Sequence, residues 1–143
     1  MKIMFVGLGS IGQRHLQNAK KIFKNANFFA LRVKNFNRII KDTKLVKRDK
    51  LNNYYKIKEI YSFKDAKKIK PDLTFICNPS SFHLDDAIRF AEIGSHLFIE
   101  KPLGSNKKKI KKLKAILKKN KLLSMIGYQM RFHPAIIYIK KIV

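Results

Sequence analysis

Acidic residues are scarce in this chain: nine Asp and Glu stand against 33 Lys and Arg in 143 residues, a formal charge of +24 at neutral pH. A balance that lopsided invites nucleic-acid or membrane partners. Cysteine is nearly absent as well. A single Cys forms no internal disulfide and gives no sign of an oxidising compartment, so the cytoplasm is the expected location. No apolar run approaches the roughly 20 residues of a membrane span. The opening MKIMFVGLGSIG is too short, and too broken by glycine, for a secretory signal. Tryptophan is missing, but 11 Phe, 5 Tyr and a 45% hydrophobic content suffice for one buried core and exclude a disordered basic tail. The length predicts a single domain.

What is present alternates. Lys2 to Val6 reads as a strand ended by Gly7, and Ile11, Leu16, Ala19 and Phe23 recur at helical spacing. Phe28 to Val33 is dense enough for a buried strand. A weaker stretch follows, with a helix expected around Asn37 to Lys47, a strand near Tyr54 to Ile57 and a short helix from Phe63 to Lys70. The pattern then sharpens. Strands are expected over Asp72 to Asn78, His96 to Glu100 and Leu122 to Ile126, with helices over His83 to Ile93, from Ser105 onward, and after Pro134. Such alternation predicts an α/β fold with a doubly wound, mainly parallel sheet of the Rossmann type.

Gly7-Leu8-Gly9-Ser10-Ile11-Gly12 fits G-x-G-x-x-G and falls between a predicted strand and a predicted helix, the context that makes the motif informative. Gly7 permits the tight turn, Gly9 lets the backbone approach a pyrophosphate, and Gly12 lets the helix pack on the strand. With Ser10 and Ile11 opening the helix, an anion would rest on free N–H groups at its N-terminus. About 20 residues on, a site for NAD would carry an acid for the ribose hydroxyl. None occurs before Asp42. Arg32, with Lys34 beside it, favours the 2′-phosphate of NADP, with NAD the alternative; the competing reading is one more basic residue in a basic chain.

Four further segments follow in order: Asn78-Pro79-Ser80-Ser81-Phe82-His83, Glu100-Lys101-Pro102-Leu103, Gly127-Tyr128-Gln129 and Arg131-Phe132-His133-Pro134. With GLGSIGQRH they make the chain resemble the N-terminal half of the Gfo/Idh/MocA oxidoreductases over nearly its whole length. The resemblance implies hydride transfer between a nicotinamide cofactor and a sugar, cyclitol or nucleotide-sugar-like substrate. It implies Lys101 as the catalytic or substrate-positioning group, and it places Asn78, Pro79 and His83 beside the cofactor. Tyr128, Gln129 and Arg131 are implied near nicotinamide or substrate. An ammonium at position 101 would stabilise or protonate an oxygen whose charge changes during hydride transfer. Glu100 is placed either to hold the loop and cofactor or to make a structural ion pair. His83 could equally cap its helix. Cys77 reads as a core residue, and the histidines show no metal spacing.

Family members add a second domain, so residues 1–127 are expected to form the dinucleotide-binding domain and 128–143 to begin a connection to a missing substrate domain. The apolar C-terminal helix, with Ile136, Ile137, Ile139, Ile142 and Val143, needs a partner surface. The expectation is a truncated or split product, completed by a second polypeptide or left as a non-catalytic binding module. Beyond Glu100 there is no acid but thirteen Lys or Arg. The Lys107 to Lys119 helix lacks interleaved aromatics, so a nucleic-acid role is the lesser alternative and specific nucleic-acid binding is not expected.

Overall fold

β1 (Lys2–Val6) is apolar from its second residue onward and runs up the middle of the molecule, where Ile3, Met4 and Phe5 are fully buried. In the computed structural model, which describes residues 1–33, 39–41, 44–46 and 50–143, the glycine turn after β1 leads into α1 (Ser10–Ile22). β2 (Asn27–Leu31) then returns parallel to β1 in the register Ile3 to Phe28 and Phe5 to Ala30. A short antiparallel pair, β3 (Ile39–Lys41) and β4 (Lys44–Val46), is followed by α2 (Leu51–Tyr55), β5 (Lys58–Ile60) and α3 (Phe63–Ile69). The chain crosses back into the centre with β6 (Leu73–Ile76) and continues outward through α4 (His83–Glu92), β7 (His96–Ile99), α5 (Lys107–Lys119) and β8 (Ser124–Ile126). α6 (Pro134–Ile142) is the last element.

The six-stranded sheet has the order β5-β2-β1-β6-β7-β8 and every pairing in it is parallel. Strand order reverses between β1 and β6, which opens a crevice at the carboxyl ends of those two strands, where ligands bind in doubly wound folds. Two apolar clusters cover the two faces. One joins Phe5, Phe28 and Phe75 to Leu16 and Ala19 of α1 and to Leu51 and Tyr55 of α2. The other joins Met4, Val6, Ile76 and Ile99 to Ala66 of α3, Leu84, Ile88 and Phe90 of α4 and Leu113 of α5. This three-layer sandwich is the Rossmann-type α/β fold that the alternation predicts.

Two expectations fail in the middle of the chain. In place of a helix around Asn37 to Lys47 the described residues form the β3–β4 pair, with Ile39 fully buried in the α1-side core; residues 37, 38, 42, 43 and 47 lie outside the described set. The expected strand near Tyr54 to Ile57 is a single helical turn instead. Leu51 and Tyr55, four apart, turn the same way into the core, and Lys56 in left-handed backbone (φ 46°) ends the turn. Tertiary burial overrides the β-preference of the aromatic pair there.

Candidate functional site

The glycine turn is shaped by what its neighbours leave no room for. Gly7 has φ +87°, and a Cβ there would lie 2.8 Å from the backbone of Asn78, at the end of β6. A Cβ on Gly12 would strike the Gly7 carbonyl oxygen. Gly9 differs. Nothing lies within 4 Å of a Cβ built on it, so the turn is tight on the protein side and open on the other. Gly9 is the N-cap of α1 and offers no side-chain cap, and the first turn of the helix holds no acid, so its leading N–H groups face outward without a built-in anion. That combination fits a pyrophosphate, the part of a nicotinamide dinucleotide that a glycine turn receives.

Below the turn, Gln13 is buried. Its amide nitrogen Nε2 donates to the Leu8 carbonyl at 3.0 Å and its Oε1 accepts from the Tyr55 hydroxyl at 3.0 Å, while Gln17 Nε2 donates to the same hydroxyl. Sequence reading passed over Gln13 and Tyr55. The first follows the motif directly and so carries a signal; the second lies 42 residues away, and no spacing rule finds it.

Across the crevice a cleft of about 410 Å³ is lined by Ile11, Cys77, Asn78, Ser80, His83, Glu100, Lys101, Pro102 and Gln129. Several residues singled out from sequence therefore meet in one place, although they come from α1 and from the loops after β6, β7 and β8. Asn78 Nδ2 donates to Asp86 Oδ2 at 2.6 Å, and its Oδ1 is buried with no hydrogen-bond partner among the described residues. An orphaned acceptor at a cleft is what a donor on a bound molecule would satisfy. Burial pushes the Asp86 carboxyl up from its ordinary range, opposed by the Asn78 and Arg89 hydrogen bonds.

His83 and Glu100 are framework as much as lining. His83 is 2% exposed and its ring spans two loops, Nδ1 to the Pro102 carbonyl oxygen and Nε2 to the Asn78 carbonyl oxygen, both at 2.8 Å. Glu100 Oε1 lies 2.6 Å from His15 Nε2, and Oε2 accepts from the Lys101 N–H at 3.1 Å. The His15 ring in turn packs edge-on against Phe98. Lys101 is exposed, in the loop carrying the cis Lys101–Pro102 peptide. Pro79 is exposed beside the cleft, and Tyr128 and Arg131 are exposed on the segment after β8 outside its lining.

Arg32 sits where spacing predicts, just past the end of β2, but it is not a loose cation. It is 6% exposed and ion-paired to Glu59 of β5, whose Oε2 also accepts from the Tyr61 hydroxyl at 2.8 Å. Lys34 lies outside the described residues. Cys77 is buried as expected, and burial with the nearby Glu100 charge pushes its thiol up to about 12. Among the described residues no group of His, Cys, Asp and Glu could hold a metal, and no helix is long and apolar enough to cross a membrane.

Residues 1–128 match a family described as an oxidoreductase family with an NAD-binding Rossmann fold. The chain belongs to the Gfo/Idh/MocA oxidoreductases. Within that family it is 27% identical over 140 residues, 96% of its length, to the "Uncharacterized oxidoreductase YrbE" of Bacillus subtilis, covering 38% of that protein. Over 70 residues it is 30% identical to an inositol 2-dehydrogenase of Rhizobium meliloti, a match spanning 49% of this chain and 21% of the relative. Its backbone follows that of a scyllo-inositol dehydrogenase from Lactobacillus casei, solved with NAD(H) and scyllo-inositol bound, with a TM-score of 0.76 and 26% identity. That likeness covers 99% of this chain and 40% of the Lactobacillus protein, so the Gfo/Idh/MocA portion seen here spans about two-fifths of such relatives.

Proposed function

We propose that the chain is the cofactor-binding part of a nicotinamide-dependent oxidoreductase that moves hydride to or from a carbon of a polyhydroxylated substrate: a sugar, a cyclitol or a nucleotide-linked sugar. The open side of Gly9 above an otherwise closed turn is the observation that carries this reading. Gly7, Gly9, Ser10, Ile11 and Gly12 would hold the pyrophosphate, and Asn78, Pro79, His83 and Glu100 would frame the cleft beyond it. Arg32 would stand at the adenosine end, facing NAD or NADP. When bound, the nicotinamide supplies the hydride donor or acceptor.

The remaining chemistry belongs to the protein. Lys101 Nζ would meet the substrate oxygen, giving it a proton when a carbonyl is reduced and taking that proton back from the hydroxyl when an alcohol is oxidised, while the hydride passes to or from the nicotinamide. Gln129 lines the same cleft and would orient the polyol, with Tyr128 and Arg131 on the adjoining segment. The exposed apolar residues of α6, among them Ile136, Ile137 and Ile139, suit a second domain or polypeptide completing the substrate side. The cytoplasm is the compartment this chemistry and the lone buried thiol suit.

The test is calorimetric titration with NADH and NADPH near physiological salt, where screening limits nonspecific attraction to a highly cationic protein. Gly9→Ala is expected to weaken binding of both by at least about tenfold, some 1.4 kcal/mol, while the chain stays folded. The added Cβ meets nothing in the fold, and the only stability loss is that of a weaker N-cap on α1, on the order of 1 kcal/mol. Full affinity in that variant, or no binding by the folded wild type, overturns the reading.

A further inference from the structure

We propose that Glu59, on β5, is a cofactor-specificity residue: by holding Arg32 in a buried ion pair it makes the site select NAD(H) over NADP(H). The inference rests on the dinucleotide-binding reading and concerns its adenosine end. The Gly7 N–H lies 3.4 Å from the Leu31 carbonyl oxygen, so the end of β2 is the wall beside the glycine turn, where the adenosine ribose of a dinucleotide falls in this fold class. Arg32 is the next residue, and its own N–H is tied to the Ile60 carbonyl of β5 at 3.0 Å.

Strand pairing does the rest. Glu59 stands opposite Ala30, and Arg32 is two residues beyond Ala30, so the two charged side chains emerge on one face of adjacent strands. Their side chains are only 5% and 10% exposed. A 2′-phosphate brings about two negative charges. It would meet a guanidinium already neutralised and a carboxylate that repels it, and capturing Arg32 would mean breaking a desolvated pair. A 2′-hydroxyl faces no such conflict. Each Glu59 oxygen retains a lone pair beyond those used by Arg32 and by the Tyr61 hydroxyl, and a ribose hydroxyl can donate to it. The carboxylate that spacing along β2 fails to supply is thus brought in laterally by the neighbouring strand.

The experiment measures dissociation constants for NADH and NADPH by calorimetry on the 143-residue chain, on Glu59→Gln, and on Arg32→Met with and without Glu59→Gln. Wild type is expected to bind NADH at least about tenfold tighter, and Glu59→Gln to move the ratio toward NADPH by a similar factor. In the Arg32→Met background Glu59→Gln should still move the ratio toward NADPH, because the repelling carboxylate and the ribose acceptor are lost, but by a smaller factor, since no guanidinium is released to meet the phosphate. The difference between the two factors measures the coupling of the pair. A purely structural role for Glu59 would weaken both cofactors alike, and that outcome overturns the inference. So does a wild type that prefers NADPH or binds both equally, a result that needs no variant to fold and leaves the dinucleotide reading standing. A folded wild type that binds neither removes both.

Discussion

Cys77 shows how far a residue's surroundings govern its chemistry. It lines the cleft, yet its thiol is pushed up to about 12 by burial and by the Glu100 charge. Against an ordinary value of 9.0, the thiolate population at pH 8 falls by about a thousandfold, and alkylation follows thiolate. Iodoacetamide is therefore expected to modify the native protein about a thousandfold more slowly than the denatured chain, the native rate still climbing about tenfold per unit between pH 8 and 10. A native rate that levels off near pH 9 would contradict the burial argument. The same scale separates what sequence spacing reveals from what it hides. Gly7, Gly9 and Gly12 declare themselves because backbone sterics demand glycine at fixed intervals. Arg32 was legible by position but not by state, since its partner Glu59 lies 27 residues away and only strand pairing joins them.

Elements with strong period or clear punctuation were legible to within a residue or two: α4 starts at His83 as expected, and β6 and β7 stop just before the polar loops of the cleft. The β3–β4 pair and α2 were not, because each is short and draws its conformation from contacts with α1 and the sheet rather than from its own pattern. α5 needs outside help of another kind. Its first turn opens with three lysines, against the helix dipole. Asn106 Oδ1 caps it by accepting from the Lys109 N–H at 3.0 Å, and α4 lends carboxylates: Lys109 Nζ lies 2.6 Å from Asp85 and Lys112 Nζ 3.0 Å from Glu92. Asn106→Ala should cost about 1 kcal/mol by urea unfolding, a loss in the ordinary range for an N-cap. A change below about 0.3 kcal/mol would mean that the exposed lysine pairs, not the cap, hold the start of the helix.

At the scale of the whole molecule the two ends behave differently. α6 contributes no buried residue, and Ile136 to Ile139 are all exposed, so the fold should not depend on it. Deleting residues 134–143 is expected to shift the unfolding midpoint by less than about 2 °C, on a scale where 1 kcal/mol moves a domain of this size by roughly 2–8 °C. The same deletion should reduce binding of an apolar dye. A fall of more than about 5 °C would show that the helix packs onto the domain after all. The sheet centre is the opposite case. β1 and β6 pair in the register Ile3 to Leu73, and the Lys2 N–H reaches the Asp72 carboxylate at 2.6 Å. On the ribosome, at about 5–20 residues per second, the first strand waits roughly 4–14 s for that neighbour to be made. Until then its Ile, Met and Phe side chains have only one side of a sheet to shelter them, which makes the newborn chain, more than the finished one, the form in need of a chaperone.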